Sequence, residues 1–290
     1  MSIDLLHDKI RKLKNPLIVD FTVAAENIPP VLREQAETDT EALGCFCRKL
    51  IEAFKGVVPG LRFSYGDFSL KGTEGLLLLS ELLAEARKSG FITLLDAPDV
   101  SSPLLAAKAA DALFLPDSKF TPDIVAVSPY IGSDAVKPFL AYCKAGPKAL
   151  AVTVRSPNKS ASELQDLITG SRQVYGAAAD MAARYGEGMF GKCGYSQVCA
   201  LVSATAPDGI RTMRSKYKYM FLLVDGIDYP SGNAKNCSAA FDRYGHGAAV
   251  CVGAAVTAAW KEAQEEDYAA AARSAAERIS KNLQRYVTIL

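Results

Sequence analysis

GFITLLDAPDVSS, residues 90–102, is an apolar run that ends abruptly in two carboxylates. Phe91, Ile92, Thr93, Leu94 and Leu95 follow a glycine and precede Asp96-Ala97-Pro98-Asp99. That is the pattern of a parallel strand buried on both faces that opens into a loop. In α/β folds the chemistry sits at such strand ends. Asp96 and Asp99, three residues apart, suit a general acid/base pair, a metal site or a positioning pair. The plainer alternative is a turn in which Asp99 caps the following helix.

Working outward from this strand, short β-rich runs alternate with longer amphipathic ones. Strand-like runs fall at 16–23, 61–68, 91–96, 124–128, 149–154, 198–204, 220–224 and 248–253. Helix-like segments lie between them at about 38–55, 73–88, 103–115, 134–145, 160–185, 208–216 and 234–244. Eight strands, each followed by a helix, in a chain near the typical length of about 250 residues predict an α/β fold of the (β/α)8 TIM-barrel type over an open doubly wound sheet. No linker or composition break divides the chain, so one barrel domain is expected over 1–290, with a leading helix at about 1–14 and a covering helix at about 256–286.

Composition narrows the function. Lysine plus arginine number 33 against 32 acids, so no charge excess steers the surface toward nucleic acid or an anionic membrane. The two most apolar stretches, 75–83 and 247–260, fall short of the roughly 20 residues a membrane helix needs. A small-molecule ligand at the barrel mouth, or a protein partner, is favoured instead. The N-terminus places Ile3, Leu6, Ile10 and Leu13 on one helical face with charges between them, unlike a signal peptide. Seven cysteines, an odd number lying largely in apolar segments, suit reduced thiols in a cytoplasmic protein. Cys45-Phe46-Cys47 is a weak metal signal and is read as core or surface thiols. His7 and His246 lie away from the expected mouth and are read as structural or solvated.

Several segments carry a family likeness: NPLIVDF at 15–21, SPYIGSDAVKPF at 128–139, TVRSPNKSASELQDL at 153–167, VSATAPDGIRTMR at 202–214 and LLVDGIDYPSGN at 222–233. In combination they resemble the longer-chain bacterial branch of orotidine 5′-phosphate decarboxylase, a barrel enzyme of pyrimidine synthesis. The resemblance spans nearly the whole chain. It implies a TIM barrel, no cofactor, and a homodimer with the mouths near the interface. It also implies catalysis by an alternating array of lysines and aspartates, in which one aspartate crowds the substrate carboxylate and a lysine protonates the carbanion.

The catalytic motifs depart from that family. Its D-A-K-R-G-D-I reads Asp96-Ala97-Pro98-Asp99-Val100, two residues shorter and without the lysine; its second-strand lysine reads Arg62. Arginine can pair with Asp96, but its pKa above about 12 makes it a poor proton donor. Asp96, Asp99 and Arg62 are therefore read as relics of the catalytic positions. Thr22 stands where the first-strand G-L-D-P has its aspartate, and T-S-N reads Ser156-Pro157-Asn158. The phosphate loop P-G-x-G-A-Q-G-G reads Asp225-Gly226-Ile227-Asp228-Tyr229-Pro230-Ser231-Gly232, and the last-strand arginine of N-S-S-R reads Ala254. By the resemblance, ligand contacts fall to Thr22, Ser128, Arg155, Asn158, Gly226 and Asp228. Two readings lead, ahead of a third in which the chain is a genuine orotidine 5′-phosphate decarboxylase, a lyase of UMP synthesis, with replaced residues. One is a barrel that has lost decarboxylation and keeps a structural, regulatory or partner-binding role; the other is an enzyme using Arg62, Asp96, Asp99, Asp225 and Asp228 on a neutral or cationic substrate. The acids could also bind a divalent cation through oxygen ligands, but pairing with Arg62 and Arg155 is favoured, and no metal site is assigned.

Overall fold

Eight apolar runs pair side by side, all parallel, into a closed barrel. The computed structural model describes residues 1–263 and 267–290. The strands are β1 (Leu17–Asp20), β2 (Gly60–Ser64), β3 (Ile92–Asp96), β4 (Ile124–Val127), β5 (Ala149–Thr153), β6 (Val198–Ser203), β7 (Leu222–Asp225) and β8 (Ala248–Val252). Each pairs with its neighbours in sequence, and β1 closes the ring on β8 through Leu17 opposite Val250. The α/β (β/α)8 TIM barrel expected from the alternation is the observed fold. Every residue of β4, β6 and β8 is buried, because the barrel interior covers one face and the helices cover the other. Continuous Val, Leu, Ala and Cys runs are the sequence form of that double burial.

The outer layer is built from amphipathic segments. These are α1 (Ser2–Leu13), α2 (Pro30–Gln35), α3 (Asp39–Phe54), α4 (Tyr65–Ser69), α5 (Gly72–Lys88), α6 (Pro103–Phe114), α7 (Lys137–Ala145), α8 (Val174–Gly186), α9 (Pro207–Lys216), α10 (Ala234–Ser238), α11 (Ala254–Thr257), α12 (Trp260–Ala263) and α13 (Tyr268–Gln284). In α1 the buried Ile3, Leu6 and Ile10 recur at helical spacing and face inward. Thr38 starts α3 by accepting from the Glu41 N–H, and Ser102 starts α6 by accepting from the Leu105 N–H.

Four expected segments differ from the structure. The strand expected over 61–68 stops at Ser64, whose hydroxyl accepts from the Asp67 N–H and starts α4; the aromatic residues 63, 65 and 68 imitate a strand, but a side-chain cap ends it. The single helix expected over 160–185 is a 3₁₀ turn at Lys159–Glu163, a small hairpin pairing Ile168–Thr169 with Arg172–Gln173, and only then α8. Gly170, at φ 64°, makes the hairpin turn that breaks the helical period. The helix expected over 234–244 stops at Ser238. The covering helix expected over 256–286 is divided into α11, α12 and α13, and residues 264–266 of that span lie outside the described residues.

At the end of the barrel opposite the mouth, the His7 and His246 rings meet edge to face, with centroids 4.8 Å apart. Nearby, the largely buried Arg214 fastens α9 to the starts of β7 and β8. It donates to the carbonyls of Met220 (2.9 Å), Gly247 (2.8 Å) and Ala240 (2.7 Å). Removing such a donor strands buried acceptors, so Arg214→Met is expected to lower folding stability by about 2–4 kcal/mol. Urea unfolding measures it, and a loss below about 1 kcal/mol would show that solvent reaches these carbonyls.

Candidate functional site

Side chains alternate along β1 and β2, and that alternation loads the barrel axis with charge. Asp20 and Arg62 lie opposite each other in register, as do Ser64 and Asp96, and Ser203 and Asp225. Phe21 and Phe63, the next residues along, turn outward and pack at 5.1 Å, with Phe21 also against Phe54 of α3. Burying these rings in the helical layer commits Asp20 and Arg62 to the interior.

Arg62 stands at the centre of three carboxylates. Its Nε and Nη2 donate to Asp96 at 2.9–3.2 Å, and its Nη1 donates to Asp225 at 2.7 Å and lies 3.6 Å from Asp20. Burial works against the guanidinium charge, but Asp225, Asp96 and Asp20 outweigh it and hold the group well above its ordinary range. Three acids around one cation leave a formal excess of two negative charges. Thr22, two residues after Asp20 and therefore on the same face, donates its hydroxyl to Asp20 at 2.7 Å.

Asp96 carries a carboxyl raised well above the ordinary carboxylate range. Burial raises its carboxyl most, Arg62 opposes, Asp20 and Asp225 raise it further, and it is pushed up to about 6. A carboxyl raised on folding adds stability below its unfolded value near 3.8, and that contribution is lost as pH rises through about 6. Asp96→Asn should therefore flatten the fall in stability between pH 4 and pH 6.5, as read by chemical denaturation at several pH values. An unchanged slope would mean that Asp96 titrates as an ordinary exposed acid.

These residues line a cavity of about 490 Å³ together with Ser156, Pro157, Gly226, Asp228, Tyr229, Cys251 and Ala254. No lysine or histidine is among its lining residues. Burial, then Asp225, pushes the Cys251 thiol well up, away from a nucleophilic thiolate. A second cavity of about 460 Å³ adjoins the first through Thr22 and Ala254 and reaches Arg33, Asp39, Asp67 and Lys71. Among the described residues, no group of three or more His, Cys, Asp or Glu side chains is placed to hold a metal ion. The guanidinium of Arg62 occupies the centre of the acids instead.

Of the residues singled out in the sequence, Arg62, Asp96, Thr22, Gly226 and Asp228 share the mouth cavity. Asp99 and Ser128 do not; both are exposed and line a separate cavity between the loops after β3 and β4. Asp99 accepts from the Ser101 N–H at 2.7 Å, which lowers its carboxyl, and Ser102, not Asp99, caps α6. Arg155 is engaged by both carboxylate oxygens of Asp166, at 2.8 and 3.0 Å, and not by the strand-end acids. Asn158 is exposed and donates to Ser160. Asp20 was missed as a site residue. The signal for it was the two-residue period, which puts positions 20 and 22 on one face.

No family model matches the chain. A Rhodopirellula baltica orotidine 5′-phosphate decarboxylase is 30% identical over 234 residues, covering 78% of each chain. The Clostridium kluyveri orotidine 5′-phosphate decarboxylase is 28% identical over 268 residues, 92% of this chain and 90% of that one. Among solved structures, Leishmania donovani OMP decarboxylase is 25% identical with a TM-score of 0.74, covering 97% of this chain and 98% of that one.

Proposed function

The chain belongs to the orotidine 5′-phosphate decarboxylase family, and from that premise we propose that its barrel has lost decarboxylation and serves as a ligand- or partner-binding pseudoenzyme. The observation that carries this reading is the commitment of Arg62, at the position of the family's second-strand lysine, to Asp20, Asp96 and Asp225. An arginine held in this way stays protonated and is a poor proton donor to a carbanion, unlike the family's lysine. With a formal negative excess around it, the mouth favours a small neutral or cationic ligand over a nucleotide.

Asp96, pushed up to about 6, favours one second reading: an enzyme of altered specificity in which this carboxyl is the acid/base group. In either case we propose a cytoplasmic homodimer that takes neither nucleic acid nor membrane; among the described residues no helix is long and apolar enough to cross a membrane. Light scattering at micromolar concentration should return twice the chain mass, and a monomer would remove the dimer from the account. The ligand reading is tested by calorimetric titration with uridine 5′-monophosphate. Binding no tighter than the millimolar range is expected, and micromolar binding would contradict it.

A further inference from the structure

The loop after β7 and the end of β8 hold a contact that the loss of decarboxylation does not require. Asp228 reaches across to β8, where its Oδ2 accepts from the main-chain N–H of Gly253 at 3.1 Å. We propose that Asp228 is a built-in anion that excludes phosphate esters from this lobe of the mouth, and so sets the charge of the ligand the protein accepts. The inference rests on the reading that the mouth no longer grips a phosphate, and it names the residue responsible.

Three features support the assignment. The loop that presents Asp228 is wound on itself: Gly226 sits at φ 80°, the Tyr229 N–H donates to the Gly226 carbonyl at 3.2 Å, and the Gly232 N–H donates to the Tyr229 carbonyl at 2.8 Å. A Cβ on Gly232 would lie 1.7 Å from the Gly226 oxygen, so the turn closes with no room to relax around a new ligand. Asn236 pins the far side through the carbonyls of Ser231 and Ala204. The Tyr229 and Gly232 amides are therefore bonded inside the loop, and the Gly253 amide is bonded to Asp228.

The opposite wall is closed as well. Pro157 packs onto Gly226, where a Cβ would come within 2.6 Å of the proline ring. Ala254 contributes no charge, and the cation lining the cavity, Arg62, is held by Asp20, Asp96 and Asp225. An entering anion must displace a tethered carboxylate, whose effective concentration is of order millimolar or higher, and must then sit beside it without a counter-charge. A neutral or cationic group meets neither obstacle.

The test compares thermal unfolding of the full chain in sodium phosphate and in sodium chloride at equal ionic strength. The proteins are wild type, Asp228→Ala and Asp117→Ala, the last removing an exposed carboxylate from the loop after α6, at the other end of the barrel. Wild type and Asp117→Ala are expected to melt alike in the two salts. Asp228→Ala is expected to gain about 4 °C in 50 mM inorganic phosphate, as mass action requires for a site with a Kd of about 1 mM; Asp228→Ser is the second variant should the alanine form fail to fold. Equal phosphate stabilisation of wild type and Asp228→Ala would overturn the proposal, since the carboxylate would then exclude nothing. Neither Asp228 variant exceeding Asp117→Ala would overturn it too, since no donor would lie beneath. Failure of the decarboxylation reading appears separately, as turnover of orotidylate by wild type, which the salt comparison does not involve.

Discussion

Arg62→Met is expected to lower folding stability by about 3–5 kcal/mol at pH 7.5, the cost of removing one partner from a buried ion cluster. The side chain is 12% exposed and bonds directly to Asp96 and Asp225, with Asp20 3.6 Å away. Without it, three carboxylates face one another at the end of the barrel with no cation among them. Their folded pKa values must then rise, so the penalty is small below their unfolded values and grows as pH rises through the folded ones. The variant should accordingly approach wild-type stability near pH 4 and fall furthest behind it at neutral pH. Arg62→Lys is expected to land between the two, because an ammonium is a single compact charge and cannot present the guanidinium's fork to Asp96 while reaching Asp225. Denaturant unfolding at pH 4.5 and 7.5 measures all three proteins. A loss below 1 kcal/mol for Arg62→Met at pH 7.5 would show that the cluster is solvated and not held by the arginine.

The largest expected effect is on chemistry, where orotidine 5′-phosphate should persist unchanged in the presence of this protein. By the family's mechanism a lysine in the loop after β3 protonates the carbanion, and here that loop reads Ala97-Pro98 between its two aspartates. Losing a general acid typically costs 10²–10⁴ in rate. The non-reacting phosphate supplies binding energy that drives the reaction at the ring; by the resemblance its arginine partner would fall at Ala254, which carries no charge, and Asp228 accepts from the neighbouring Gly253 N–H. Asp99, the second aspartate of the motif, stands exposed outside the mouth cavity. Losses in separate loops compound, so a rate at least about 10⁴-fold below that of an intact member is expected. In cells, the gene should fail to rescue a uracil-requiring strain; rescue would mean that another residue has taken over the proton transfer.

Much of the barrel was legible because doubly buried strands leave continuous apolar runs that no other element of that length produces. Residues 124–127 and 198–203 are examples, buried along their whole length. Legibility failed where a local hydrogen bond overrides side-chain character. Ser64 ends a run that continues to look β-like through Tyr65 and Phe68, and Gly170 turns a hairpin inside a stretch whose flanks read as helix. At the site, the strand positions were readable and the loop positions were not. Arg62 and Asp96 lie on strands whose alternation dictates where they point, and Asp20 could have been found by the same rule. Arg155 finds Asp166 eleven positions on, across the segment misread as helix, and Asp99 turns away through a bond to its own Ser101. Such outcomes depend on how a loop closes, and strand periodicity carries no information about that. Asp228 was visible as an acid in a phosphate-like loop, but its bond to Gly253 joins positions 25 residues apart and exists only once β7 and β8 are paired.

The central claim, that this mouth no longer decarboxylates orotidylate, is tested most directly by following the absorbance of orotidine 5′-phosphate over hours with micromolar purified protein, beside an active member of the family. A trace indistinguishable from the protein-free control is the predicted result. Turnover of order 1 per second, near the lower end of ordinary enzymes, would contradict the account.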